Sequence, residues 1–211
     1  MPRWFWRLTL VGVGAVFLVV MVGALLLRLG AADPPTAPDL RWQDHRLQWA
    51  SGPSITVPSG EDRWFDPPTA AALENSFTLH LRARLSADSD PATAWGVWIE
   101  TGDGMRVIYA ISGERYTTTR LCPPEPPAEI EDCPALHPDW RWMEYNRLHG
   151  PGDINQITLH TESPGMIRLR LNNERMGIAP IQISGRWGVW VRGGREAPGT
   201  ITWAWAAVYG R

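Results

Sequence analysis

The chain has 211 residues, 44% of them hydrophobic, which allows one domain of ordinary size and argues against a disordered chain. The formal net charge is −2, and all 20 basic residues are arginines. Three of these arginines lie in the first thirty residues, so the remainder carries 17 Arg against 22 acidic residues. An acidic body lacks the basic surface that nucleic acid requires, so no nucleic-acid partner is expected.

An uncharged hydrophobic run, LTLVGVGAVFLVVMVGALLL, occupies residues 8–27. As a helix this run would rise about 30 Å, which matches the hydrocarbon core of a bilayer. Arg3 and Arg7 precede the run, and basic residues favour the cytoplasmic side of a membrane. The sequence therefore predicts a single-pass anchor over residues 1–30, in the membrane from Leu8 to Leu29, with its N-terminus cytoplasmic and the following domain extracytoplasmic.

A cleaved signal peptide is the alternative for this segment, because Gly30-Ala31-Ala32 offers small residues at which a peptidase could cut. The apolar run is longer than the roughly 7–15 residues of a usual signal peptide, which favours the retained anchor. A Pro-rich tether is predicted over residues 31–39, and a β-sandwich domain over residues 40–211.

Strands are predicted by the alternation of apolar and polar residues that recurs after Pro58. In FTLHLRARL, residues 77–85, the apolar side chains face one way and the polar ones the other. Further strands are predicted at 94–100, 105–111, 115–121, 155–161, 166–171, 188–192 and 200–209, with weaker candidates at 40–50 and 54–57. A short helix is predicted at 68–74. Many short strands between Gly-rich turns indicate a sandwich or barrel.

Cys122 and Cys133 are the only cysteines, and they flank the Pro-rich acidic segment PPEPPAEIED. Prolines exclude this segment from a helix interior or a central strand. One cysteine pair around one irregular loop, in a domain expected outside the cytoplasm, predicts a disulfide. Free thiols are the main alternative, and a metal site is disfavoured because no His or third Cys lies at ligand spacing.

Six segments in order carry a resemblance to a known fold: FTLHLRARL, WGVWIE, YAISGERYTTTR, NQITLHTESPGMIRLRLNNERM, GRWGVWVRGG and ITWAWAAVYG. Their order resembles the concanavalin A-like lectin/glucanase superfamily, most nearly its laminin-G-like and 3-keto-disaccharide hydrolase branches. The resemblance implies an all-β, two-sheet jelly-roll sandwich with a family-like core over residues 77–211. Asn172-Asn173 stands where the family has an Asn-Gly turn. A shared fold does not transfer a mechanism.

The carboxylate pattern of the glycosidases in this superfamily, Glu-x-Asp-x-x-Glu on one strand, is absent. Glu100 and Asp103 lie at a strand end and in a Gly-Asp-Gly turn. Glu129, Glu131 and Asp132 alternate within the cysteine segment, where a solvated loop is expected. No catalytic residue is predicted, and the sequence favours a protein that is not an enzyme.

Metal and cofactor signals are weak. The five histidines are scattered and offer no zinc spacing, so no metal site is predicted. Asp88 and Asp90 share one loop and could contribute to a calcium site, but a hard cation needs about six or more oxygen ligands. No cofactor is therefore predicted, and calcium remains an unsupported alternative.

Tryptophan, with 13 copies, offers the main potential for binding. Trp95 and Trp98 fall on opposite faces of one predicted strand, so at least one should leave the core or line a concave sheet. Aromatic residues also cluster directly after the cysteine segment, with arginines near in sequence. The predicted ligand-binding residues are Trp98, Trp140, Trp142, Tyr145 and Arg120. Packing in the core or at the rim is the alternative for each aromatic residue.

The sequence thus predicts a membrane-anchored extracytoplasmic module that binds a glycan or a surface protein without catalysis. A glycoside-processing hydrolase of the 3-keto-disaccharide hydrolase type is one alternative, and a structural envelope protein without a small ligand is another. A cleft with convergent carboxylates would favour the hydrolase, whereas a filled sandwich without a cleft would favour the structural protein.

Overall fold

A computed structural model of the chain describes residues 3–28, 44–50, 54–66, 72–73, 76–137 and 141–210. The chain divides into two compact units, Met1–Thr36 and Ala37–Arg211. The first unit contains the helix α1 (Arg3–Arg28), whose side chains are described for residues 12–24 and are mostly exposed. The predicted helix is present. Within the described residues no helix is long and apolar enough to cross a membrane, so the predicted transmembrane anchor is not supported.

The second unit is built from β-strands. Its described residues form β1 (Asp44–Ala50), β2 (Ser54–Val57), β3 (Asp62–Phe65), β4 (Phe77–Leu85), β5 (Ala94–Thr101), β6 (Arg106–Ser112), β7 (Tyr116–Cys122), a 3-10 helix (Ile130–Asp132), β8 (Met143–Glu144), β9 (Ile154–Ser163), β10 (Met166–Leu171), β11 (Glu174–Pro180), β12 (Ile183–Arg192) and β13 (Gly199–Gly210).

These strands pair antiparallel into two sheets. Sheet A has the order β1-β13-β4-β9-β10-β11, with β2 also paired to β13, and sheet B has the order β3-β12-β5-β6-β7-β8. The predicted all-β, two-sheet sandwich is therefore confirmed.

The main core lies between the two sheets and follows the alternation of the sequence. All five apolar residues of β4 that were predicted to share a face are buried: Phe77, Leu79, Leu81, Ala83 and Leu85. Sheet B contributes Trp95, whose ring meets the ring of Trp203 edge-on at 5.4 Å between centroids. Burying large aromatic side chains removes much apolar surface from water and is a main source of stability.

A second, smaller apolar cluster lies on the opposite face of sheet B. Trp98 points to this face, as its alternation with Trp95 predicts, and packs with Trp190. Ile130 and Cys133, from the segment between the cysteines, lie over the same cluster. Trp98 is consequently only 1% exposed, although it has left the main core.

The outer face of sheet A carries polar side chains that pair across strands. The hydroxyls of Thr78 and Thr158 lie 2.8 Å and 2.9 Å from Nδ1 of His160 and His80, respectively. Burial is the largest cause that lowers the pKa of His80, to about 4, and the neighbouring His160 adds to the effect. The polar face of β4 is thus more enclosed than its composition suggests.

Three described strands were not predicted: β3, β8 and β11. All three lie at sheet edges, where a strand pairs on one side only and needs less apolar character. The predicted helix at 68–74 lies outside the described residues except for residues 72–73, which have no regular secondary structure.

Gly188→Ala should destabilise the domain, because Gly188 of β12 lies directly against the Trp98 ring. A Cβ at this position would lie 2.3 Å from the Phe65 carbonyl oxygen and 2.5 Å from the Trp98 ring. Overpacking of this kind costs about 1–3 kcal/mol in the free energy of unfolding, measurable by urea denaturation. Gly102→Ala is the matched control, since its Cβ would lie 4.0 Å from the nearest atom, the Gln182 carbonyl oxygen. Equal stability of the two variants would contradict this packing.

Candidate functional site

The cysteine loop, residues 122–133, folds across the outer face of sheet B. Cys122 and Cys133 form the predicted disulfide, and both residues are buried. Within the loop, Ile130 is fully buried against the second cluster, whereas Glu129 beside it is exposed and the side chain of Glu131 is 35% exposed. The loop is therefore a fixed cover with an acidic outer surface.

A charged network fastens this cover to the sheet. Arg192 of β12 donates hydrogen bonds from Nε and Nη2 to the carboxylate of Asp62 on β3, at 2.6 Å and 3.0 Å. Its Nη1 and Nη2 also donate to the carboxylate of Glu131. Asp62 additionally accepts a hydrogen bond from the backbone N–H of Ile130 at 3.0 Å. The side chain of Asp62 is 1% exposed, so this contact is shielded from water.

The contacts of this network shift the pKa values of Asp62, Glu131 and Arg192. Burial is the strongest influence on Asp62 and raises the pKa of its carboxyl, against the hydrogen bonds from Arg192. Burial also acts to raise the pKa of Glu131, but the hydrogen bonds from Arg192 and Trp142 outweigh it and lower that pKa. For Arg192, burial acts to lower the pKa, and the two carboxylates outweigh it. Arg192 and Glu131 therefore form a charged pair at neutral pH.

Arg120, a predicted ligand contact, lies beneath the cysteine loop. Its Nη1 donates to the Cys133 carbonyl oxygen at 3.0 Å, and its Nε donates to Oγ1 of Thr118 at 3.0 Å. The residue is 6% exposed, and burial is the largest cause that lowers the pKa of its guanidinium. Arg120 thus supports the backbone of the loop.

A cleft of about 550 Å³ opens where the cysteine loop meets the β6–β7 turn and the segment after β12. Its side chains combine aromatic rings, carboxylates and guanidinium groups: Tyr116, Trp142, Glu114, Glu129, Glu131, Arg192 and Arg195. A concave site with a few convergent polar groups around aromatic surface is the usual form of a small-molecule site. We refer to this site below as the cleft.

Two glycines let the wall of the cleft come close to neighbouring loops. A Cβ at Gly193 would lie 1.8 Å from the carbonyl oxygen of Pro58, and one at Gly194 would lie 2.2 Å from Cβ of Asp90. No side chain fits at either position without moving the backbone. The segment after β12 therefore packs closely against Pro58 and Asp90 through its two glycines. The contacts of Arg192 hold it where it leaves the strand.

Trp142 is the aromatic residue that combines packing with access to the cleft. It is half-buried, and one part of its ring packs against the second cluster. Its indole Nε1 donates a hydrogen bond to Oε1 of Glu131 at 2.7 Å. Because Glu131 is itself held by Arg192, the ring has a fixed orientation at the cleft wall.

The five predicted ligand-binding residues are not brought together. Trp142 lines the cleft, and Trp140 lies outside the described residues. Trp98 is buried under the guanidinium of Arg106, 4.7 Å from its ring centroid. Tyr145 donates its hydroxyl hydrogen to Glu174 and does not line the cleft.

The sequence did not point to the other side chains of the cleft. Glu129 and Glu131 were noticed as alternating acids, and their position inside a disulfide-closed loop is the signal that could have marked them. Tyr116, Glu114 and Arg195 carry no such signal, since they follow ordinary turn or strand patterns.

Among the described residues, no group of three or more His, Cys, Asp or Glu side chains could hold a metal ion. Asp90, one of the two residues considered for calcium, accepts backbone hydrogen bonds from Ala92 and Glu196 at 2.8 Å and 2.9 Å. Its oxygens therefore brace the loop of which it is part.

Comparison with known proteins gives similarity at the level of the fold. No model of a protein family matches the chain, and no curated protein matches it in sequence. The carbohydrate-binding module CBM66 from Bacillus subtilis is similar in structure, with a TM-score of 0.51 and 9% identity over 74% of this chain and 86% of that one.

Two carbohydrate recognition domains are similar to the same degree. The metal-free domain of Emp46p has a TM-score of 0.51 and 9% identity over 74% of this chain and 87% of its own. The domain of Emp47p has a TM-score of 0.50 and 11% identity over 78% of this chain and 87% of its own. Identities this low show the fold alone, a two-sheet β-sandwich, as the sequence predicts.

Asp62→Asn should destabilise the domain far more than Glu61→Gln at the neighbouring position. Hydrogen bonds to charged groups contribute about 1.5–3 kcal/mol, and Asp62 is buried with Arg192 and Ile130 as its donors. Glu61 and its partner Arg63 are both exposed, and such pairs contribute less than about 1 kcal/mol. Urea denaturation of both variants measures the difference. Equal losses would show that the buried network does not fasten the loop.

Proposed function

We propose that the sandwich is a non-enzymatic glycan-binding module whose ligand occupies the cleft beside the cysteine loop. The observation that carries this proposal is the half-exposed ring of Trp142, held by Glu131 in a polar cleft of about 550 Å³. A sugar places its apolar face on an aromatic ring, and its hydroxyls need donors and acceptors around that ring. The carboxylates of the cleft supply acceptors, and the exposed guanidinium of Arg195 supplies donors.

The rigidity of the Trp142 platform supports binding. A chain of hydrogen bonds runs from the indole through Glu131 and Arg192 to Asp62, which lies in sheet B. A side chain that is ordered before the ligand arrives loses little conformational entropy on binding. Three structurally similar proteins are named as carbohydrate-binding or carbohydrate recognition domains. We propose that this chain also binds a carbohydrate.

A glycoside-processing hydrolase of the 3-keto-disaccharide hydrolase type is the second candidate, favoured by the carboxylates that line the cleft. Hydrolysis of a glycosidic bond uses a carboxylic acid with a raised pKa beside a second carboxylate. In Glu131 the hydrogen bonds from Arg192 and Trp142 lower the pKa despite burial, which is the opposite of what a general acid needs. Glu131 is therefore unsuited to act as that acid, and the carboxylate pattern of the glycosidases is absent from the sequence, so we favour binding over catalysis. The third alternative, a structural envelope protein without a small ligand, does not require such a cleft.

Trp142→Ala should weaken glycan binding by about thirtyfold or more, because an aromatic anchor in a binding site is typically worth about 2 kcal/mol or more. The wild-type chain would first be screened on a glycan array, and its best ligand would then be titrated by calorimetry. Trp142→Phe keeps an aromatic face and should retain part of the affinity.

Asn146→Ala is the control for this experiment, since Asn146 is exposed, lies close to Trp142 in sequence and does not line the cleft. It should bind as the wild type does, and circular dichroism should show strands in every variant. Unchanged affinity in Trp142→Ala would remove the cleft as the site. Cleavage of the bound glycan would favour the hydrolase.

We propose separately that the domain lies outside the cytoplasm and that its N-terminal segment holds it at the cell membrane with the N-terminus inside. The uncharged run at residues 8–27, preceded by Arg3 and Arg7, supports this location. The disulfide between Cys122 and Cys133 adds support, because such bonds persist mainly in oxidising compartments.

Arginines placed in this run should release the chain from membranes. Each arginine in the middle of an apolar segment costs about 2.5–3.5 kcal/mol of insertion free energy, so Val16→Arg combined with Val19→Arg should move the chain to the soluble fraction. Val16→Leu combined with Val19→Leu is the control and should stay with the wild type in the membrane fraction. A wild-type chain found in the soluble fraction would overturn the proposed location.

A further inference from the structure

Carboxylates outnumber guanidinium groups among the side chains that line the cleft. Three carboxylates and two guanidinium groups line it, and the carboxylate of Asp62 lies behind Arg192. The lining side chains therefore have an excess of one negative charge, and behind them the charge of Asp62 is balanced by Arg120, whose guanidinium lies beneath the cysteine loop and interacts with Glu131. The interaction of a charged ligand with this excess depends on which of the charged groups are already paired within the protein.

Arg192 is not available to an anionic ligand. Its Nε and Nη2 donate to Asp62, and its Nη1 and Nη2 donate to Glu131. Two carboxylates already compensate its single charge, so an incoming carboxylate or sulfate would have to compete with both. Arg195 is the other cation, and its Nη2 lies 3.3 Å from Oε2 of Glu114 in an exposed pair.

Glu129 is the carboxylate that the cleft leaves uncommitted. It is exposed, it lines the cleft, and its side chain has no hydrogen bond or ion pair with the described parts of the chain. It belongs to the same disulfide-closed loop as Glu131, which orients the ring of Trp142. An uncommitted carboxylate and an aromatic ring in one cleft can both attract an ammonium group, by charge and by cation–π contact.

From these contacts we infer that the cleft selects a cationic glycan, one whose sugars carry unsubstituted amino groups, with Glu129 as the residue that sets this specificity. The inference rests on the proposed glycan-binding function and narrows its ligand class. An ammonium group on the sugar pairs with the unpaired carboxylate of Glu129. The carboxylate of a uronic acid is instead repelled by the acidic cleft. Neutral sugars stack on Trp142 without the charge contact.

Calorimetry of the whole chain with three tetrasaccharides of equal length tests the inference: one of glucosamine, one of N-acetylglucosamine and one of galacturonic acid. At about pH 5.5 the sugar amines are protonated and a typical glutamate is ionised. We expect the glucosamine tetramer to bind about tenfold more tightly than its N-acetylated form, and the galacturonate tetramer not to bind. The preference should shrink as salt is raised, because exposed charges are screened.

Glu129→Gln keeps the shape of the side chain and removes its charge. It should reduce the preference for glucosamine over the N-acetylated tetramer to about twofold or less. Glu125→Gln is the matched control, since Glu125 is exposed on the same loop and does not line the cleft. It should keep the full preference.

The failures of the two proposals are distinguishable. If the N-acetylated tetramer binds through Trp142 but glucosamine has no advantage, the charge inference is wrong and glycan binding stands. The same conclusion follows if Glu129→Gln and Glu125→Gln keep equal preferences. If neither these tetramers nor a glycan array gives binding, the glycan-binding function itself is wrong.

Discussion

The ion pair of Asp62 and Arg192, in which the side chain of Asp62 is 1% exposed, is the contact on which the cleft depends. It joins two neighbouring strands of sheet B and presents the remaining donors of Arg192 to Glu131, while Asp62 also holds the backbone of Ile130. Removing a carboxylate from water is costly, and the cost is offset only when hydrogen bonds satisfy the buried group. Three donor contacts on Asp62 offset part of this cost, and the raised pKa of its carboxyl shows that burial still outweighs them. Loss of one partner would leave a charge buried without compensation.

The disulfide and the charged network act on different states of the chain. Closing a loop with a sequence separation of 11 contributes about 2–3 kcal/mol, mainly by restricting the unfolded ensemble. The disulfide by itself does not determine where the loop lies in the folded domain. Burial of Ile130 and the contacts of Asp62 and Arg192 select the position over sheet B. The position of the loop also fixes the orientation of the Trp142 ring, because its hydrogen bond goes to Glu131 of the same loop.

The sequence predicted the sandwich because alternation is a local property. The strand over residues 77–85 has the predicted bounds, and its five apolar residues are buried on one face. Alternation also placed Trp95 and Trp98 on opposite faces correctly. It could not show that Trp98 is covered, because the cover comes from a Pro-rich loop without a periodic pattern. The cleft was largely missed since Asp62 and Arg192 are 130 residues apart in sequence, and only the strand order brings them together.

The cover over sheet B also determines what kind of binding surface remains. Without the cysteine loop, the rings of Trp98 and Trp190 would lie on an open sheet face, as a broad apolar platform. With the loop in place these rings are buried, and among the described residues Trp142 and Tyr116 are the aromatic side chains that line the cleft. Aromatic contact in the described part of the cleft therefore comes from these two rings, and charged groups lie around them. A site of this composition discriminates among ligands by charge and hydrogen bonding more than by contact area, since the polar groups left unpaired by a wrong ligand carry the larger penalty.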